Sequence, residues 1–166
     1  DESPLPELPG LPVLSEDLDT RPMEAEEVTR EYADESEMQG RYRVMDRLDG
    51  TGNGIVIGHI VYRETLDFGD LVRATYQYSP YLLEALMQVV NFYAFMRNRS
   101  ERRSMIPTRI AEMRFTRKCR DGEHMILEGR IRDENREHVI WDARALDEDG
   151  TVVMVAREMV FRSFEK

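Results

Sequence analysis

Three polar side chains interrupt the most apolar stretch of the chain, SPYLLEALMQVVNFYAFM at residues 79–96. They are Glu84, Gln88 and Asn91, and their spacing of four and then three residues places them on one stripe of an α-helix. A carboxyl group in apolar surroundings can act as a general acid. A carboxamide one turn further along can hydrogen-bond that carboxyl and hold its rotamer. We therefore take Glu84 and Gln88 as candidate catalytic residues.

The helix that carries these residues has clear start and stop signals. Ser79 is a suitable N-cap followed by a proline, and the arginine-rich end suits the negative pole of the dipole, so a helix is predicted over Pro80–Arg97. Glu84 is then expected in the first turn, where the dipole favours its charged form and burial opposes it. In a simpler alternative, Glu84 faces solvent while Gln88 and Asn91 line a polar seam with another subunit.

Most of the remaining chain is patterned as β-strands. Two runs with period two, RYRVMDRL and IVIGHIVYR, flank the turn sequence DGTGNG ahead of the helix. Four more runs follow the helix: RIAEMRFTRK, HMILEGRIR, HVIWDARAL and VVMVAREMVFRSF. Alternation in the third of these predicts that its inward-facing residues are Val139, Trp141, Ala143 and Ala145.

This order of elements restricts the fold. A helix that is apolar on nearly all sides must be buried, and a meander of long antiparallel strands can bury it by curling around it. The prediction is an α+β hotdog fold, in which a curved antiparallel sheet wraps around one central helix. One edge strand would remain unpaired, so we expect a homodimer or a pseudo-dimer with a second hotdog.

Composition divides the chain into three parts. Residues 1–22 are acidic and hold most of the seven prolines, which predicts a linker or tail. Residues 23–37 are predicted to form a short helical lead-in, and residues 38–166 the hotdog domain. The first two parts hold 13 acidic residues against two arginines, a net charge of -11, so the domain itself is close to neutral at about +1. It has no basic face with interleaved aromatics, and we expect no nucleic-acid partner.

Other features exclude several classes of protein. The single cysteine, Cys119, rules out an internal disulfide framework and has no neighbouring context that marks it as a nucleophile. No apolar run is long enough to span a bilayer, and the N-terminus lacks the order of a secretory signal. We expect a soluble cytoplasmic protein without a membrane partner.

The helix sequence also resembles that of a known family. SPYLLEALMQ is similar to the motif His-Pro-x-Leu-Leu-Asp-x-x-x-Gln in the second hotdog of polyketide synthase dehydratase domains. The acid here is Glu84, and EALMQ is similar to the Glu-Ala-x-x-Gln pattern of stand-alone β-hydroxyacyl carrier-protein dehydratases. The strand order extends the resemblance over about residues 38–164.

The resemblance implies an activity. These enzymes eliminate water from a 3-hydroxyacyl thioester that an acyl carrier protein presents on phosphopantetheine, without a metal or an organic cofactor. A histidine removes the α-proton while the helix acid protonates the departing hydroxyl. By resemblance, Glu84 is the acid and Gln88 orients it, as in polyketide or fatty-acid synthesis. Tyr78 and Asn91 are candidate substrate-binding residues.

The chain departs from that family at the base. Asp70 and Ser79 occupy positions where the related motifs carry histidine. His59, His124 and His138 are expected to be ordinary strand residues, although the strand of His59 could approach the helix. The base is therefore expected to come from a partner hotdog. Two alternatives remain open, namely a hotdog acyl-thioesterase and a non-catalytic scaffold.

A group of arginines follows the helix and has two interpretations. It consists of Arg97, Arg99, Arg102 and Arg103. The simpler interpretation is a solvated helix end that complements the dipole. The functional one is a docking patch for the acidic acyl carrier protein.

Overall fold

The computed structural model describes residues 22–35, 45–63, 80–97 and 104–164. The two helices among them are α1 at Ala25–Glu35 and α2 at Pro80–Arg97. The strands are β1 (Met23–Glu24), β2 (Arg47–Gly52), β3 (Ile55–Val61), β4 (Ser104–Phe115), β5 (His124–Glu134), β6 (His138–Asp147) and β7 (Val152–Phe164). The predicted order of two strands, a long helix and four strands is confirmed, and so are the bounds of that helix.

The described strands form one antiparallel sheet in the order β1-β2-β3-β5-β6-β7-β4. Helix α2 packs against β3, β5, β6 and β4, so the sheet surrounds it on most sides. The core fills the space between them and includes the helix residues Leu82, Leu86, Val89 and Phe92. This is the predicted hotdog fold. No helix among the described residues is long and apolar enough to cross a membrane.

The first hairpin differs from the sequence prediction in where its turn lies. We expected the strand to end before DGTGNG, but β2 continues through Gly52, with a bulge between Leu48 and Gly50. The turn is only Asn53 and Gly54, whose φ angles are 50° and 74°. A two-residue hairpin turn of this kind needs a positive φ at both central positions, and Asn-Gly meets that need best.

Two glycines let α2 approach the sheet closely. A Cβ atom at Gly58 of β3 would lie 2.8 Å from Cγ2 of Val89, and one at Gly129 of β5 would lie 2.6 Å from Cγ1 of Val90. Both distances are shorter than real carbon contacts, so any larger residue at these positions would force the valine or the backbone to shift. The two glycines therefore set how closely α2 packs on the backbones of β3 and β5.

The two faces of the sheet follow the predicted alternation. The four residues of β6 expected to face inward, Val139, Trp141, Ala143 and Ala145, are all buried in the core. Strand β4 pairs with β7 on one side, and no described strand pairs with its other side. Met113 on β4 is 44% exposed and Ile106 is 47% exposed. The free edge of the sheet is thus long and partly apolar.

Candidate functional site

One side of α2 faces away from its own sheet. Up to Tyr93, all of the partly exposed helix residues lie on this side, and every other residue of this part is buried. The exposed stripe consists of Pro80, Leu83, Glu84, Met87 and Asn91. The intervals of three and four residues among them keep the stripe on one face. The described part of the chain therefore leaves one surface of the helix only partly covered.

Glu84 and Gln88 are hydrogen-bonded to each other on this surface. Nε2 of Gln88 donates to Oε1 of Glu84 at 2.9 Å. Gln88 is only 2% exposed and lies beside the stripe, where its own chain buries it. Glu84 is half-buried. The hydrogen bond from the side-chain amide engages Oε1 of the carboxyl. Oε2 is then the oxygen that can carry a proton toward a bound molecule.

The position of Glu84 along the helix corrects one prediction. Helix α2 begins at Pro80 and has no acidic residue in its first turn, so Glu84 lies in the second turn. The effect of the helix dipole falls off within the first turn. The expected contribution of the dipole is therefore small, and the structure places this carboxyl in a hydrogen bond from Gln88 at a partly buried position.

All three histidines of the chain lie on the outer face of the sheet, away from α2. Gly58 faces α2, so the next residue, His59, points to the opposite face, where its Nε2 lies 2.6 Å from Oδ2 of Asp49. His124 and His138 each precede a core residue on their strands and also point outward. The strand of His59 approaches α2, as expected, but it does so through Gly58, and His59 itself is an ordinary strand residue on the other face.

The structure describes only some of the residues that the sequence predicts for the site. Asn91 lies on the exposed stripe, on the same face as Glu84. Tyr78, Ser79 and Asp70 fall outside the described residues. So do the arginines after the helix, apart from the backbone of Arg97, and the docking patch stays a prediction. Within the described ranges, no group of acidic, histidine or cysteine side chains is arranged to hold a metal ion.

The sequence reasoning missed residues that position α2. Gly58 and Gly129 seat the helix on the sheet, and Tyr81 and Tyr93 anchor its two ends. A glycine inside a strand signals a close approach of another backbone or side chain, so the two glycines could have been found. The tyrosines carried no such signal, because their partners are backbone groups distant in sequence.

Solved structures with the same fold include several dehydratases. The dehydratase domain of PpsC from Mycobacterium tuberculosis, solved with C12:1-CoA, is 12% identical with a TM-score of 0.68, over 95% of this chain and 56% of that one. The dehydratase domain from the CurJ module of the curacin polyketide synthase is 16% identical with a TM-score of 0.67, over 87% of this chain and 50% of that one. This chain thus spans about half the length of these domains.

A third structure is nearer to this chain in length. The dehydratase heterocomplex ApeI:P from Xenorhabdus doucetiae is 9% identical with a TM-score of 0.62, over 78% of this chain and 88% of that one. All three likenesses are below 25% identity and establish the shared fold. A comparison with functionally characterised proteins by sequence finds no significant match.

The sequence itself matches a family over nearly its whole length. Residues 8–166 fit the family described as polyketide synthase dehydratase N-terminal domain. This description names the N-terminal part, so the expected equivalence to the second hotdog stays a prediction. With the hotdog fold and the match over more than half of its residues, the chain belongs to the polyketide synthase dehydratase family.

Proposed function

We propose that this chain is one hotdog half of a dehydratase that acts on 3-hydroxyacyl thioesters carried by an acyl carrier protein. The observation that carries the proposal is the hydrogen bond between Gln88 and Glu84 on the exposed stripe of α2, in a chain of this family. The protein needs no metal or organic cofactor beyond the phosphopantetheine of its substrate. We expect it to act in the cytoplasm.

The reaction requires two groups on opposite sides of the acyl chain. A base removes the proton from C2 while the C2–C3 double bond forms and the C3–O bond breaks. Glu84, protonated on Oε2, gives its proton to the departing hydroxyl, which leaves as water. Gln88 holds Oε1 and so keeps Oε2 directed at the substrate. Proton return from the base to Glu84 through solvent completes the cycle.

The base comes from a second hotdog. None of the three histidines faces α2, so an imidazole near Glu84 has to be supplied from outside this chain. The exposed stripe of α2 gives such a partner a surface to cover. The free edge of β4, with Ile106 and Met113 exposed, gives it a strand to pair with. The related dehydratase domains are about twice as long as this chain, which leaves room for a second unit of similar size.

The proposal can be tested by reconstitution. The protein, alone and mixed with a hotdog chain that carries a histidine on its inner face, is incubated with 3-hydroxybutyryl and butyryl pantetheine thioesters. Enoyl product that appears only in the mixture supports the proposal. Release of free thiol from butyryl pantetheine would instead identify a thioesterase, and no product from either thioester would identify a scaffold.

A matched pair of variants then assigns the acid. Glu84→Gln preserves size and removes the proton donor, and we expect it to lower turnover by about 100-fold or more, as for loss of a general acid. Glu148→Gln makes the same change at an exposed turn residue and should leave turnover unchanged. Equal turnover in the two variants would remove Glu84 from the mechanism.

A further inference from the structure

The start of α2 is fixed to the end of β3 by a pair of tyrosines. The hydroxyl of Tyr81, the second residue of the helix, donates to the carbonyl oxygen of Val61 at 3.4 Å. Its ring lies edge-on to the ring of Tyr62, with centroids 5.6 Å apart and planes at 86°. Both tyrosines are buried, and the hydrogen bond to the partly exposed Val61 is itself partly buried.

Tyr62 is itself held by the rest of the sheet. Its backbone N–H donates to the carbonyl of Glu123 at 2.7 Å, and its carbonyl accepts from the N–H of Gly122 at 2.8 Å. Both partners belong to the turn between β4 and β5. The first turn of α2 is thus attached, through Tyr81 and Tyr62, to a part of the sheet that two backbone hydrogen bonds hold in place.

The far end of α2 has an independent anchor. The hydroxyl of Tyr93 accepts a hydrogen bond of 3.2 Å from the N–H of Gly54, and its ring lies edge-on to Trp141 with centroids 5.1 Å apart. Nine residues separate Tyr93 from Glu84, which is about 14 Å along a helix. Tyr81 precedes Glu84 by three residues, which is less than one turn. Only the first of the two anchors is therefore adjacent to the candidate acid.

From this arrangement we infer that Tyr81 is a positioning residue for the Glu84–Gln88 pair. It keeps the first turn of α2 at a fixed distance from β3, and this fixes where the carboxyl of Glu84 lies one turn later. A displacement of about 1 Å at a reacting group can cost about 100-fold in rate. The role of Tyr81 in catalysis rests on the proposed dehydratase function, whereas its effect on the position of the pair does not.

The first test therefore measures position without activity. Tyr81→Phe keeps the ring and removes the hydroxyl, and Tyr93→Phe is the matched control at the other anchor. The side-chain amide signals of Gln88 in ¹H–¹⁵N NMR spectra report its hydrogen bond to Glu84. We expect these signals to shift, and their pH dependence to change, in Tyr81→Phe and not in Tyr93→Phe. Unchanged signals in Tyr81→Phe, or an equal change in both variants, would overturn the inference.

The second test measures rate in the reconstituted enzyme. Tyr81→Phe should lower kcat about 10-fold with little change in KM, and Tyr93→Phe should keep kcat within about twofold. Tyr81→Met, which also removes the ring, should lower kcat further, and an unaltered kcat in this variant would contradict a positioning role. If the unmodified protein forms no enoyl product, the proposed function fails, while the NMR comparison still decides whether Tyr81 positions the pair.

Discussion

Gln88 is buried by its own chain, yet its amide points to Glu84, a residue that the chain leaves half uncovered. The buried side chain of Gln88 thereby holds the carboxyl of the partly exposed Glu84 in one orientation. Gln88→Leu replaces the amide by an apolar group of similar size, so the helix should remain folded while Glu84 loses its orientation. We expect kcat in the reconstituted enzyme to fall about 10-fold, the upper end of what the loss of one hydrogen bond between uncharged groups costs.

The control for this change is Leu86→Met, a volume-conserving substitution on the buried face of the same helix. It should leave kcat unchanged and cost less than about 1.5 kcal/mol of unfolding free energy. Loss of folding in Gln88→Leu, detected by circular dichroism, would show that the amide has a structural role as well.

The close approach of α2 to the sheet predicts a strong steric effect at Gly129. The added methyl group of Gly129→Ala would meet Val90 at 2.6 Å and Val56 at 3.0 Å. We expect a loss of about 1–3 kcal/mol in the free energy of unfolding, measured with urea. Adding Val90→Ala should recover part of the loss, because it removes the side chain that clashes. Additive losses in the double variant would contradict the predicted contact.

The ion pairs around Arg117 predict how stability depends on pH. Arg117 donates hydrogen bonds to the carboxylates of Glu123 and Asp147, and the bond to Asp147 measures 2.7 Å. These hydrogen bonds lower the pKa of both acids. A lowered pKa in the folded state adds stability above the unfolded pKa of about 4, and that stability is lost as the pH falls through the folded value. Arg117→Met should therefore be less stable than the parent at pH 7, and the gap should narrow below about pH 4.

Urea unfolding at pH 7, 4 and 3 measures this gap. Lys118→Met, which removes an exposed positive charge next in sequence, is the control and should show no such dependence on pH. A gap for Arg117→Met that stays constant from pH 7 to pH 3 would refute the linkage.

Cys119 is predicted to be an unreactive thiol. Burial, with a smaller contribution from the charge of Glu123, raises its pKa to about 11. At pH 7 only about one molecule in ten thousand then carries a thiolate, which is the reactive form. Alkylation by iodoacetamide should be about 100-fold slower in the folded protein than in urea, and the folded rate should rise about tenfold per pH unit up to pH 10. Equal rates in the two states would show that the thiol is accessible and unperturbed.

The outer face of the sheet carries a largely buried ion pair between Glu128 and Arg144 on neighbouring strands. Removing one partner leaves the other charge buried, so Arg144→Met should cost about 3–5 kcal/mol of unfolding free energy. The double change Glu128→Met with Arg144→Met should cost much less, because no unpaired charge remains. A double-mutant cycle with urea measures the coupling, and a value near zero would mean that the pair is effectively solvated.

Much of the fold could be predicted from the sequence because its signals are local. The apolar run after Ser79 predicts α2 with correct bounds, and period-two alternation predicts the inward residues of β6, including Trp141. The end of β2 was placed wrongly because DGTGNG offers several residues that tolerate a turn. The register with β3, and not composition, decides that only Asn53 and Gly54 form it.

The site was less accessible to sequence reasoning. Helical spacing predicts the contact between Glu84 and Gln88, and the structure contains it. The face on which His59 lies could have been inferred from Gly58, because a glycine inside a strand signals a close approach. The partner of Gly58, Val89, lies on an element far apart in sequence and could not be identified in the same way. The anchors at Tyr81 and Tyr93 depend on pairings of the same distant kind.

Trp141 is the only tryptophan of the chain and is almost completely buried beneath α2, edge-on to Tyr93. With excitation at a wavelength that only tryptophan absorbs, the intrinsic fluorescence of the protein therefore comes from a single indole packed under the central helix. Its emission wavelength and its quenching by acrylamide report how closely α2 packs on the sheet, without any label. The same signal can be followed while a second hotdog is titrated in, so that assembly and catalysis can be measured separately in one cuvette.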